Sequence, residues 1–241
     1  VAAGHDGRPW AAVINGAAYT AVDKAEPDLV TAWAVNALAP AAFAQACAQA
    51  DVPLVQVSTD YVFAGDRQGA WEVEDPVAPL GVYGASKLGG ELAVRTSGAR
   101  HAIVRTAWVV SPHRANFVKT MLRLAGERDK LTVVDDQRGS PTIAADLAAA
   151  LAAVALGLAR GEGPAGTYHC ANAGETTWCG FARAIVAGSA ARGGRSVPVE
   201  GIPTSAYPTP ARRPANSVLS TASLERDHGV TMRPWQAALD D

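Results

Sequence analysis

Apolar residues in this chain fall into two kinds of stretch. The first kind is short and almost continuously apolar: residues 11–14, 52–57, 101–106 and 131–134. Runs of that length read as strands buried on both faces. The second kind keeps helical spacing over longer distances. Residues 28–50 form an alanine-rich example entered through Pro27, and 116–128 carry Phe117, Met121, Leu122 and Leu124 on one side. A third begins near Tyr83 and continues through Leu88, Leu92 and Val94, and a fourth covers 143–159 with Pro141 just before it. Strands alternating with helices predict an α/β fold with a doubly wound parallel sheet. The strands ending near Ile14, Ser58, Thr106 and Val134 are expected to share that sheet. Later come a short strand at 166–170 and a helix at 177–187 capped by Thr177.

Composition narrows the picture. At 241 residues the chain can bury a sizeable core, in one large or two unequal domains. A formal net charge of −2 with 18% charged residues gives no basic surplus, so neither nucleic acid nor an anionic membrane is an expected partner. Residues 143–159 are shorter than the ~20 needed for a membrane span. Cys47, Cys170 and Cys179 are odd in number and have no C-x-x-C spacing, which points away from a disulfide framework and towards a cytoplasmic setting. His5, His101, His113, His169 and His228 are scattered without ligand spacing, so no metal site is expected.

The candidate chemistry lies between Ser58 and Lys87. Ligands of open α/β sheets bind at the carboxyl ends of strands, which is where Thr59 and Asp60 fall. Tyr83 and Lys87 are four residues apart at the start of a helical pattern, so phenol and ammonium share one helix face. A fixed positive charge favours phenolate and draws the phenol down from its ordinary pKa of about 10, towards the range of a working general acid. A threonine hydroxyl nearby can hold an oxygen that gains charge as hydride reaches a carbonyl carbon.

Several stretches carry a resemblance: Asn15-Gly16-Ala17-Ala18-Tyr19-Thr20-Ala21-Val22-Asp23-Lys24-Ala25-Glu26, Ser58-Thr59-Asp60-Tyr61-Val62-Phe63, Val82-Tyr83-Gly84-Ala85-Ser86-Lys87-Leu88, Arg105-Thr106-Ala107-Trp108-Val109 and Pro203-Thr204-Ser205-Ala206-Tyr207-Pro208. In this order they resemble the dTDP-4-dehydrorhamnose reductase family of extended short-chain dehydrogenases/reductases. The resemblance implies a Rossmann-like fold, with residues 1–140 mainly binding NADP and a smaller C-terminal domain, 141–241, mainly binding substrate. It implies Thr59, Tyr83 and Lys87 as catalytic residues. Ala17, Ala18, Tyr19 and Thr20, with Tyr83 and Lys87, would contact NADPH, NADH being the alternative. Thr59, Asp60, Trp108 and Arg212 would contact a dTDP-sugar, although the pair Arg212-Arg213 leaves open which arginine meets the diphosphate. Asn36 is expected to brace the active-site strand or simply to be exposed. A homodimer is compatible with the family. Some members use a divalent ion such as Mg2+, for which no ligands can be placed here.

Two other functions share these residues. Nucleotide-sugar dehydratases carry an acidic pair after the threonine, but here Asp60 is followed by Tyr61. The β subunit of methionine adenosyltransferase resembles the same family and serves as a non-catalytic partner. The start of the chain departs from the pattern. Residues 1–7 contain glycines but no preceding strand, and read as a helix tail and loop rather than a dinucleotide fingerprint. A first βαβ unit, on the order of 40 to 50 residues, is expected to be missing.

Overall fold

The computed structural model describes Gly4 and residues 6–240, so the expectation for residues 1–3 and for His5 lies outside the described residues. In chain order the elements are β1 (Val13–Asn15), α1 (Val22–Ala25), α2 (Leu29–Trp33), α3 (Ala39–Ala50), β2 (Leu54–Thr59), α4 (Val82–Arg95), β3 (His101–Thr106), β4 (Val109–Val110), α5 (Phe117–Glu127), β5 (Leu131–Val134), β6 (Arg138–Gly139), β7 (Thr142–Ile143), α6 (Ala144–Arg160), β8 (Gly166–His169), β9 (Thr176–Thr177), α7 (Trp178–Ala191), β10 (Val199–Ile202), α8 (Ala222–His228) and α9 (Trp235–Leu239). A π-helical turn, Ala34–Leu38, joins α2 to α3.

The main sheet has the order β1-β2-β3-β8, with every neighbouring pair parallel. Successive strand residues face opposite sides, and here both sides are covered. Leu54 and Ile103 pack with Ala44, Cys47 and Val94 of α3 and α4. Val55, Ala102 and Val104 pack against Leu147, Leu151, Val154 and Leu158 of α6. This is the doubly wound α/β arrangement expected from the sequence, and it explains why β2 reads as an unbroken apolar run.

One expectation fails. β5 does not join this sheet; it pairs in parallel with β10 in a separate two-stranded sheet. Leu131 and Val133 are buried while Thr132 is exposed, the alternation of a strand covered on one face. Its partner, Val199-Glu200-Gly201-Ile202, is too polar and too glycine-interrupted to read as a strand. Around this pair α5 and α7 build a second lobe, whose core includes Met121, Leu131, Val133, Phe181 and Ile185. Thus α6 and β8 complete the main sheet, while α5 and β5 belong to the second lobe.

The helical stretch Leu29–Ala50 is long and apolar enough, by length and composition, to cross a membrane. In the fold it buries Ala32, Asn36, Ala37, Pro40, Ala44 and Cys47. The apolar tract at 143–159 becomes α6, a core helix capped at its end by Gly161 in the left-handed region.

Candidate active site

The site is built where β2 ends. Thr59 is the last residue of the strand, and a turn of 3-10 helix, Asp60–Val62, begins immediately after it. The Thr59 hydroxyl accepts the Tyr61 N–H at 3.2 Å, which caps that turn. The same hydroxyl donates to Asp60 Oδ1 at 2.9 Å. Both Thr59 and Asp60 are buried.

Helix α4 brings the other two side chains. Tyr83 and Lys87 lie in its first turns, and two glycines allow it to sit close. A Cβ at Gly84 would meet the Tyr61 carbonyl oxygen at 2.1 Å, and one at Gly90 would meet the Asn36 carbonyl oxygen at 2.2 Å. Any larger residue would push the helix away from the turn after β2 at Gly84, and from the π-helical turn before α3 at Gly90. Glu26, just past α1, accepts the N–H of Val82 at 2.9 Å and so satisfies an otherwise unpaired donor at the helix start.

The electrostatics differ from the sequence-based expectation. Burial pushes the Tyr83 phenol up to about 12; the Thr59 hydroxyl, acting as a hydrogen-bond partner, opposes this, and the Asp60 charge adds to it. Lys87 does not draw the phenol down. Its ammonium donates to the Val57 carbonyl at 2.7 Å, and burial lowers its own pKa to about 8, against the attraction of Glu91. A buried cation spends part of its charge offsetting its own lost hydration. Burial raises the Asp60 carboxyl to about 6, while the nearby Ser217 and Thr59 hydroxyls and backbone N–H groups draw it down.

Behind these residues lies a charge cluster that sequence reasoning missed. Glu91, one turn beyond Lys87, is fully buried. It accepts from Ser58 Oγ at 2.6 Å, from Arg105 Nε and Nη2 at 2.9 and 2.8 Å, and from Arg95 Nη2 at 3.0 Å. The paired contacts with Arg105 are the strong, orienting kind. They tie β2, α4 and β3 together directly behind Thr59 and Lys87. The available signal was an arginine inside an apolar strand and a glutamate at i+4 from the lysine. Tyr61 was also missed as a neighbour. Its ring meets that of Tyr83 edge-on, with centroids 5.4 Å apart.

The loop after β1 carries Ala17, Ala18, Tyr19 and Thr20, with Ala17 and Thr20 exposed. Asn36 braces this loop rather than the strand. It accepts the Tyr19 N–H at 2.8 Å, and its amide donates to the Tyr19 carbonyl and to Ser86 of α4.

Trp108 adopts φ +51°, a left-handed backbone that is rare for a bulky residue. Its ring stacks on Trp178 with centroids 3.6 Å apart and planes 13° from parallel. Trp178, another residue not anticipated, also touches Phe117. Arg213 is paired with Asp23 at 2.7 Å, whereas Arg212 is exposed and makes no ion pair among the described residues. The loop between Val62 and α4 is anchored from below. Trp71 is buried against Phe63, and its carbonyl meets His169 Nδ1 at 3.1 Å.

Residues 2–241 match the family model described as the RmlD substrate binding domain. A dTDP-4-dehydrorhamnose reductase of Burkholderia thailandensis is 46% identical over 238 residues, covering 94% of this chain and 79% of that protein. The dTDP-4-dehydrorhamnose reductase of Escherichia coli K12 is 42% identical over 231 residues, covering 94% of this chain and 77% of that protein. A solved dTDP-4-dehydrorhamnose reductase from Clostridium acetobutylicum superposes with a TM-score of 0.88 at 38% identity, over 95% of this chain and 78% of that one. One from Bacillus anthracis, solved in complex with NADP, gives 0.86 at 37% identity over the same shares. The chain therefore belongs to the RmlD family and is an NAD(P)H-dependent oxidoreductase of the dTDP-4-dehydrorhamnose reductase type.

Proposed function

We propose that this protein reduces the 4-keto group of a dTDP-4-dehydro-6-deoxy-hexose with NADPH, converting dTDP-4-dehydro-L-rhamnose to dTDP-L-rhamnose. The observation that carries this reading is the gathering of Thr59, Tyr83 and Lys87 at the buried carboxyl end of β2. Tyr83 protonates the oxygen released from the ketone; a phenol raised to about 12 stays protonated at neutral pH, as the donor must. Thr59 holds that oxygen as charge develops on it. Lys87, with one N–H engaged by Val57, has two others for the ribose hydroxyls of the cofactor. The 17–20 loop holds the rest of the nicotinamide nucleoside, and the bound reduced nicotinamide supplies the hydride.

The main-sheet unit takes the cofactor, and the second lobe with the 203–215 segment takes the sugar nucleotide. Trp108 offers a flat apolar face to the sugar or base. Arg212, with no ion pair among the described residues, is the arginine assigned to the diphosphate, since a planar guanidinium suits phosphate oxygens. Two copies of the chain are the expected assembly.

The test is turnover. Full-length protein mixed with NADPH and a dTDP-4-keto-6-deoxy-hexose should oxidise the nicotinamide and yield the reduced sugar, with a higher kcat/KM than with NADH. Binding of the dTDP-sugar without oxidation would instead assign a non-catalytic role. Release of water from a dTDP-hexose would assign the dehydratase reading, which the single acidic residue after Thr59 disfavours.

A further inference from the structure

The roles given above leave one ion pair near the site without a task. Asp23 lies in α1, just past the 17–20 loop, and its carboxylate grips the segment that carries Arg212 at two points. Oδ1 accepts the Ala211 N–H at 3.1 Å, and Oδ2 accepts Arg213 Nη2 at 2.7 Å. The guanidinium also turns back on its own segment, donating through Nη1 to the Ala211 carbonyl at 3.1 Å. Arg212 therefore stands between two residues held by a single carboxylate, itself exposed and without an ion pair among the described residues.

Elsewhere this segment is fastened only at its ends. Asp136 accepts the Thr204 N–H at 2.9 Å. At the far end the Asn216 N–H donates to the Gly65 carbonyl at 2.9 Å, and the Arg138 N–H donates to the Ala215 carbonyl at 2.8 Å. From Pro208 to Pro214, the hydrogen bonds to other elements among the described residues all end on Asp23. Pro208, Pro210 and Pro214 fix their own φ, so a grip at 211–213 orients the residues around it. The pair also lies close to the catalytic ring. Burial pushes the Tyr61 phenol well up, the Asp60 charge adds to this, and the Arg213 charge opposes it. The Tyr61 ring in turn meets Tyr83 edge-on. The side chains of Arg213 and Asp23 are 20% and 39% exposed, and ion pairs open to water contribute little to overall stability. The consequence of this one is local geometry.

Resting on the reading of Arg212 as the diphosphate arginine, we propose that Asp23 and Arg213 form a positioning pair for the sugar nucleotide, aiming Arg212 at the diphosphate. A charge-assisted bond and a backbone N–H sharing one carboxylate hold direction as well as distance. An arginine oriented in advance spares the substrate the ordering cost it would otherwise meet on binding. Neither member of the pair is assigned to the reacting carbonyl, so the pair acts on affinity and leaves the hydride step alone.

In Asp23→Asn the amide oxygen can still accept the Ala211 N–H, but its NH2 then confronts the Arg213 guanidinium, donor against donor. In the full-length protein KM for dTDP-4-dehydro-L-rhamnose should rise roughly two- to tenfold, the ordering cost of one long side chain, with kcat and KM for NADPH nearly unchanged. The Kd for dTDP alone, measured by calorimetry without cofactor, should rise by a similar factor. Arg213→Ala should give the same shift and the double variant no larger one, since both break the same pair. In an Arg212→Ala background Asp23→Asn should cost nothing further. Parental KM or Kd in Asp23→Asn, or an additive loss in that background, would overturn the proposal. An equal rise of both KM values would overturn it too, since Asp23 would then merely support the cofactor loop. Arg212→Ala by itself separates the two readings. Parental KM there removes the diphosphate assignment, whereas a raised KM there beside parental KM in Asp23→Asn removes the positioning pair alone.

Discussion

The carboxyl end of the main sheet and the second lobe are built of different materials. At the sheet end the polar groups are buried and closely partnered: Glu91 receives three side chains, Lys87 is held by a backbone carbonyl, and Thr59 is engaged by Asp60 and Tyr61. In the second lobe the contacts are ring on ring, from Trp108 to Trp178 to Phe117, and its ion pairs, such as Lys130–Glu200, are exposed. Buried, closely partnered polar networks hold geometry tightly, which proton transfer needs. Aromatic stacks and exposed loops provide contact area, which recognition needs. The two regions should accordingly separate in mutants, one controlling rate and stability, the other controlling affinity.

The sharpest way to break this contrast is at Glu91. Glu91→Ala leaves the Arg105 guanidinium buried without its carboxylate, and loss of one partner from such a pair costs about 3–5 kcal/mol. Denaturant unfolding should register that loss. Removing the exposed Lys130–Glu200 pair should change stability by less than about 1 kcal/mol. Similar losses from both would erase the distinction between the regions.

Asp60 gives the next largest effect, with a definite sign. Its carboxyl titrates near 6 in the folded chain against an ordinary 3.8, so the folded state holds its proton more tightly than the unfolded state does. That contribution is complete below the ordinary value and is lost as pH rises through about 6. Asp60→Asn cannot ionise, so it should be more stable than the parent at neutral pH by up to ~3 kcal/mol, since each tenfold gain in proton affinity corresponds to ~1.4 kcal/mol. The difference should close on acidification below the ordinary carboxylate range. A gap that stayed constant with pH would show that Asp60 is not a strained buried acid.

The smallest expected effect lies in the lobe. Trp178→Ala withdraws the ring on which Trp108 is stacked, a contact of about 0.5–1.5 kcal/mol, and frees a backbone held at φ +51°. KM for the sugar nucleotide should rise by up to roughly tenfold while kcat holds. A fall in kcat with unchanged KM would place Trp108 in the chemistry rather than in recognition.

What could be read from the sequence divides along the same line. The strands β2 and β3 were legible because burial on both faces leaves a continuous apolar run, and Tyr83 and Lys87 because helix periodicity puts i and i+4 together. The Thr177 cap of α7 was legible too, and its side chain accepts the Gly180 N–H as expected. The pairing of β5 with β10 was not, because a strand covered on one face and interrupted by glycine carries a weak signal. The Glu91 cluster joins residues 33 and 14 positions apart, and the Trp108–Trp178 stack joins residues far apart in the chain; neither leaves a periodic trace. The direction of the Tyr83 displacement was misread for a related reason. Proximity of Lys87 in sequence shows a shared face, whereas the depth of burial that dominates the titration comes from tertiary packing.

The most direct test follows the two hydrogens of the reaction separately. Full-length protein supplied with NADPH deuterated at the transferred position, and with dTDP-4-dehydro-L-rhamnose, should deposit deuterium at C4 of the product sugar. Tyr83→Phe should still bind the sugar nucleotide but lower that transfer by about 10² or more. Deuterium at C4 at an unchanged rate in Tyr83→Phe, or reduced product without deuterium in the parent protein, would contradict the account.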